Sequence, residues 1–333
     1  MRFSEIAYNR TVPGSADRLS LERIARAARE IDPRFRATPQ FAAESLSEEL
    51  GVRVVVKVET VNPVGSFKGR GADFFLGELP AAEAARGLVC ASAGNFGLGL
   101  AFAARRRSAA VTVFASRHAN PLKVERMRAL GATVRLGGDD FDEAKSAARR
   151  FAAARGATMV EDGREAAISE GAGSIAVELL AGPEELDELW VPLGNGALAA
   201  GVARWTRAHR PDVRIVAVAA EGAPAMAESL AAGHVVSGES AATIADGLAV
   251  RLPVPEAVAD LAGRVDAVLL VSDAAMIEAM RLAHRHLGLV LEPAGAAGLA
   301  AIAARRRELG GRRVATVLCG SNADPRRLAR WLS

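Results

Sequence analysis

The stretch ELWVPLGNGALAAGV, Glu188–Val202, decides the fold class. Five apolar or nearly apolar positions lead into Gly194-Asn195-Gly196, and an alanine-rich run follows from Ala197. An apolar strand that turns on glycines directly into a helix is the repeating unit of a parallel sheet covered on both faces. The same alternation extends in both directions. Strands are predicted over 53–59, 88–92, 111–116, 133–136, 189–193, 214–219, 267–272 and 314–319. Helices are predicted over 67–77, 98–107, 121–130, 141–154, 197–207, 274–287 and 294–307. The expected fold is α/β, two-lobed, with doubly wound, mostly parallel sheets. The closely spaced strand–helix pairs between Gly87 and Asp162 predict a small domain over 86–164, with 1–85 and 165–333 forming the large one.

Composition narrows the function. The 333 residues are 50% hydrophobic, enough for two cores, and 42 basic residues are nearly offset by 39 acidic ones. Aromatics make up only 5%, and the arginine runs 105–107 and 305–307 are short, so solvated helix faces explain them better than nucleic-acid contacts. Two cysteines, Cys90 and Cys319, form no disulfide framework and suggest a reducing compartment. The N-terminal MRFSEIAYNR lacks an apolar signal core, and no run reaches the roughly 18 apolar residues of a membrane span. A cytoplasmic protein is expected.

In open parallel sheets ligands sit past the carboxyl ends of strands. Four glycine-bearing turns fall there: GSFKGRG, CASAGNFG, PLGNGAL and LCGSNAD. Gly194–Leu198 presents backbone N–H groups at a helix start, which suits a phosphate. The same turn fits G-x-G-x-x-A through Gly194, Gly196 and Ala199, with Glu221 after the next strand, so a dinucleotide-binding oxidoreductase is a competing reading. That reading leaves Lys68, held between Gly65-Ser66 and Gly69-Arg70-Gly71, unexplained. A lysine so placed is an anion-binding charge or a nucleophilic amine.

A lysine amine, a separate phosphate cradle and polar turns around a slot suit pyridoxal 5'-phosphate. The segments NPVGSFKGRGA, SAGNFGLGLA, NPLKVERMRALGATV, FDEA, TIADGLAV, EPAGAAGLAAI and LCGSNAD, in order from Asn62 to Asp324, resemble the tryptophan-synthase-β-like (fold type II) enzymes that use this cofactor, and within them the threonine and serine dehydratases. The resemblance implies that Lys68 carries the cofactor and removes the substrate α-proton. It implies that Asn95 bonds the ring hydroxyl, and that Gly194, Asn195, Gly196, Ala197 and Leu198 hold the phosphate. Gly247 would line the cofactor wall, Glu292 the edge of the site, and Cys319 would face the pyridine nitrogen. Ser92, Ala93, Gly94, Asn95 and Phe96 would receive the substrate. The implied reaction eliminates the β-hydroxyl of a threonine- or serine-type amino acid, giving a 2-oxo acid and ammonia. A protein that binds the cofactor without turnover is the other alternative.

The chain departs from the family's pattern at several points. Its phosphate turn is GNGA where four glycines are usual. Phe96 replaces the common histidine after SAGN, which suggests a larger or aromatic substrate such as phenylserine, or a ring that packs under the turn. Ala93 stands where related racemases carry a proton-donating serine, so poor racemisation is expected. Glu221 aligns with a cation ligand of the family but Ala227 replaces an acidic one, so no tight metal site is expected. His284 and His286 point to different helix faces and are read as solvated. The chain ends soon after Asp324, so no C-terminal regulatory domain is expected, and a homodimer is the family's usual assembly.

Overall fold

The computed structural model describes residues 5–7 and 17–333. Residues 1–4 and 8–16, and with them most of the N-terminal stretch searched for a signal core, lie outside this description. In chain order the first strands are β1 (Glu5–Ala7), β2 (Gln40–Ala42) and β3 (Arg53–Val58). Then come β4 (Leu88–Ala91), β5 (Val111–Ala115), β6 (Thr133–Leu136) and β7 (Thr158–Met159). The last are β8 (Glu188–Pro192), β9 (Arg214–Ala220), β10 (Ala267–Val271) and β11 (Arg313–Leu318).

Two sheets result. The larger runs β1-β10-β9-β8-β11-β3-β2, the smaller β6-β5-β4-β7. The smaller sheet is wholly parallel, and the larger is parallel except at its edges, where β1 and β2 run antiparallel to their neighbours. The fold is α/β, as the alternation of strands and helices implies. Central strands are apolar end to end because both faces are covered. Val55, Leu189, Val191, Ile215 and Ala217 enter one core layer, while Val54, Val56, Trp190, Val216 and Val218 enter the other. Each strand thus alternates between two dry layers. In β4, Leu88 and Cys90 face one core and Val89 and Ala91 another.

The helix Ala166–Ala181, absent from the sequence reading, lies between the helix Lys68–Glu78 and the helix Ala197–His209. It is buried on most sides, so no amphipathic stripe betrays it. Its neighbours approach closely through glycine: a Cβ on Gly71 would lie 2.5 Å from the Ile168 carbonyl oxygen, and one on Gly201 2.0 Å from that of Ser169. The helix bearing Lys68 and the helix that opens at Gly196 are therefore locked to one common strut.

The helix predicted over 98–107 begins earlier, spanning Asn95–Arg106. A Cβ on Gly97 would sit 2.5 Å from Met127 Sδ and one on Gly99 2.8 Å from the Lys68 carbonyl oxygen, so both glycines serve close packing. His286 is half-buried, with its Nδ1 2.8 Å from the Ser45 hydroxyl, while His284 is exposed. Among the described residues no helix is long and apolar enough to cross a membrane.

Candidate active site

The site lies past the carboxyl ends of β3, β4, β7, β8 and β11. Phe67 N–H donates to the Cys319 carbonyl at 3.1 Å, and Ser321 N–H to that of Gly65 at 3.0 Å. These bonds stitch the Lys68 turn to the exit of β11. Beneath it, Arg70 is fully buried and its guanidinium is forked onto both Glu59 oxygens, each at 2.8 Å. Arg70 also bonds Glu178, Thr38 and Ser174. Charge and hydrogen bonds from Glu59 and Glu178 raise the Arg70 pKa despite its burial.

Every residue that the resemblance assigns to the cofactor or substrate lines one cavity of about 470 Å³. Lys68, Ser92, Ala93, Gly94, Asn95, Phe96, Gly194, Asn195, Gly196, Ala197, Leu198, Gly247, Glu292 and Cys319 all contribute to its wall. The Ser92 hydroxyl accepts from Gly94 N–H at 3.1 Å and Gly97 N–H at 2.9 Å, fixing the SAGN turn. The Asn95 amide donates to Glu292 and accepts from Asn322 at 2.9 Å. Phe96 is only 5% exposed; it belongs to the core under the turn while forming part of the cavity wall.

The turn Gly194–Gly196 opens a helix at the cavity wall. Gly196 has φ +95°, and the helix it opens has no side chain bonded at its N-cap, a backbone geometry compatible with an anion. A Cβ on Gly194 would come within 2.1 Å of the Gly247 carbonyl oxygen, which shows how tightly the wall at Gly247 closes on the turn. Cys319 Sγ lies 3.7 Å from the Ala294 carbonyl oxygen, and burial, with the nearby Glu292 charge, pushes its thiol up to about 12. It is a neutral group at neutral pH.

Four participants escaped the sequence reading. Asp162 places Oδ2 2.5 Å from Lys68 Nζ. Lys123 is buried, with Nζ 2.7 Å from Asp246 and 3.0 Å from Glu292. Burial alone would lower its pKa, but the two carboxylates outweigh it and raise it. Burial raises that of Glu292 despite Lys123. Phe141, 37% exposed, lines the cavity together with Leu252, 40% exposed. Among the described residues no group of three His, Cys, Asp or Glu is arranged to hold a metal ion. Glu221 is exposed and Ala227 buried.

Residues 31–320 match the family described as pyridoxal-phosphate dependent enzyme. The chain belongs to that family. This enzyme is 33% identical over 315 residues to an L-threonine ammonia-lyase of Thermotoga maritima, covering 95% of this chain and 78% of the relative. It is 32% identical over 309 residues to an L-threo-3-hydroxyaspartate ammonia-lyase of a Pseudomonas species, covering 93% and 97%. Among solved structures it is similar to the processed form of threonine deaminase isoform 2 from Solanum lycopersicum, with TM-score 0.90, 28% identity and coverage of 98% and 96%. It is a pyridoxal-phosphate-dependent lyase, and the dinucleotide reading of GNGALA falls away.

The residues present fit the cofactor. The Lys68 amine, a helix start without a side-chain cap and a neutral thiol all line one cavity.

Proposed function

We propose that this enzyme eliminates the β-hydroxyl of a 3-hydroxy-2-amino acid, releasing a 2-oxo acid and ammonia. The observation that carries this reading is the convergence of Lys68, the Ser92–Phe96 turn, the Gly194–Leu198 turn and Cys319 on a single cavity. When bound, the cofactor's ring serves as the electron sink for charge developing at Cα. Lys68 would hold the cofactor covalently, and its Nζ would remove the substrate α-proton. The first N–H groups after Gly196 hold the phosphate, and Asn195 adds a side chain at its edge. Asn95, oriented by Glu292 and Asn322, would bond the ring hydroxyl. With the Ser92 and Gly94 N–H groups engaged within the protein, the backbone N–H groups of Ala93, Asn95 and Phe96 would receive the substrate carboxylate. A neutral thiol at Cys319 would leave the pyridine nitrogen without a strong acid, a setting that favours elimination over transamination. Ala93 carries no proton for the opposite face, so racemisation is not the reading supported here.

For the substrate side chain we propose an aryl group, as in phenylserine. Its support is the exposed apolar wall of Phe141 and Leu252 rather than Phe96, whose ring is mostly engaged in the core. Residues 86–164 are proposed as the smaller domain, since the four-stranded sheet falls wholly within them, and a homodimer is the proposed assembly.

The test is 2-oxo acid release from serine, threonine and phenylserine by the purified holoenzyme, with Lys68→Ala as the control. Turnover should fall by orders of magnitude in that variant, together with the visible absorbance of the bound cofactor. Absence of 2-oxo acid from every member of the panel would sink the reading.

A further inference from the structure

Asp162 stands in an unusual position. It is 94 residues from Lys68 in sequence, yet its Oδ2 lies 2.5 Å from Lys68 Nζ. The pair is mostly buried, with side-chain exposures of 16% and 11%. The other oxygen, Oδ1, is buried and has no hydrogen-bond partner. A buried carboxylate with one oxygen on an amine and the second unused is an expensive arrangement for a purely structural residue.

The surrounding chain fixes this carboxylate rather than leaving it to drift. Next to it, Glu161 is buried and pinned by Arg149 at 2.7 and 2.9 Å and Lys145 at 2.8 Å. On the other side, Gly163 has φ +84°, and a Cβ there would lie 2.2 Å from the Asn195 carbonyl oxygen. Asp162 is thus clamped between the lysine and the phosphate turn, and all three line the same cavity.

β-Elimination of a hydroxyl has two proton demands. The Cα–H proton must leave, and the departing oxygen must gain a proton, because hydroxide is a poor leaving group. The Lys68 amine answers the first.

We propose that Asp162 and Lys68 act as one proton relay, in which Asp162 protonates the leaving hydroxyl. This rests on the elimination reading above. The step balances internally. Nζ takes the Cα proton as the Cα–H bond breaks, and the resulting ammonium passes a proton to the Asp162 carboxylate. That carboxyl gives its proton to the oxygen as the Cβ–O bond breaks, so the Cα–H pair forms the new carbon–carbon double bond and water departs. Rotation about the terminal torsion of aspartate, which is soft and roughly two-fold, exchanges the receiving and delivering oxygens.

The experiment compares leaving groups in the holoenzyme and its Asp162→Asn variant. Serine needs a proton on its leaving group, and β-chloroalanine does not. General-acid loss should lower kcat/KM for serine by ~100-fold or more, and that for β-chloroalanine by less than ~10-fold. Exchange of the Cα proton of L-alanine with deuterated water, followed by NMR, reports whether Lys68 still abstracts; it should also fall by less than ~10-fold. Titration of the apo-protein with pyridoxal 5'-phosphate, read by visible absorbance, should give an affinity within about threefold of wild type. If the variant fails to fold, Asp162→Ser provides the same comparison. Equal losses for serine and β-chloroalanine would overturn the relay, leaving Asp162 as a group that merely holds Lys68 or the cofactor. Unchanged serine turnover would overturn it as well. A wild-type enzyme that eliminates from β-chloroalanine but from no hydroxy amino acid would instead refute the proposed substrate class.

Discussion

Replacing Arg70 with methionine should destabilise the enzyme severely. Arg70 has no exposed surface, and its guanidinium spans Glu59, itself buried, and Glu178. Lys57 completes the cluster, with Nζ 2.6 Å from Glu178 and 2.8 Å from the Thr38 carbonyl oxygen. Two cations therefore balance two carboxylates. Methionine fills much of the same volume but leaves two acids facing one lysine in a dry interior. Removing one partner of a buried pair costs about 3–5 kcal/mol, since the remaining charge is uncompensated. At roughly 2 °C per kcal/mol for a large chain, the thermal midpoint should drop by about 6–10 °C. Arg70→Lys keeps the charge but loses the fork onto Glu59, so an intermediate drop is expected.

The assay is thermal unfolding of apo-protein followed by circular dichroism, repeated in the double variant Arg70→Met, Glu59→Gln. Neutralising the orphaned acid should recover part of the loss. The pH dependence has a definite sign. Burial pushes the Glu178 carboxyl up, but the hydrogen bonds and charge of Arg70, with Lys57, leave it below its ordinary value of 4.5. Its contribution is therefore present above that unfolded value and lost as pH falls through the folded one. The gap between wild type and Arg70→Met should narrow below about pH 4.5. A midpoint within 2 °C of wild type at neutral pH, or a double variant no better than the single, would refute the compensated-cluster argument.

Three further outcomes are expected. Gly194→Ala puts a Cβ 2.1 Å from a backbone oxygen that cannot step aside cheaply, so cofactor affinity should weaken by at least ~10-fold; an unchanged absorbance titration counts against the cradle. Asn195→Gly should leave the cofactor bound but change turnover by roughly fivefold, the worth of about 1 kcal/mol from one hydrogen bond; identical spectra and kinetics would mean that Asn195 faces away from the phosphate. Phe141→Ala should lower the phenylserine-to-threonine ratio of kcat/KM by about fivefold or more, from lost ring packing of about 0.5–1.5 kcal/mol and lost apolar contact. An equal ratio in both proteins removes Phe141 from the specificity wall.

Local chemistry was enough to identify the glycine-turned strand exits, Lys68 between its glycines and the uncapped helix start at Gly196, because backbone reach and strand–helix alternation are written in adjacent residues. Cys319, Glu292 and Gly247 were legible only through the resemblance, since a buried thiol or a turn glycine has no local signature of its own. The helix Ala166–Ala181 was missed for the opposite reason: burial on nearly every side erases the polar face by which helices are recognised. Tertiary structure alone decided which charges are active. Asp162 in VEDGRE and Lys123 in NPLKVE carry no local signature of a partner, yet the fold brings them beside residues from distant parts of the chain. Once inside, low dielectric makes each charge answer to its nearest partner, Asp162 to Lys68 and Lys123 to Glu292 and Asp246, across sequence separations of 94, 169 and 123 residues. The same folding turned the Phe96 ring largely into the core and left Phe141 more exposed on the cavity wall.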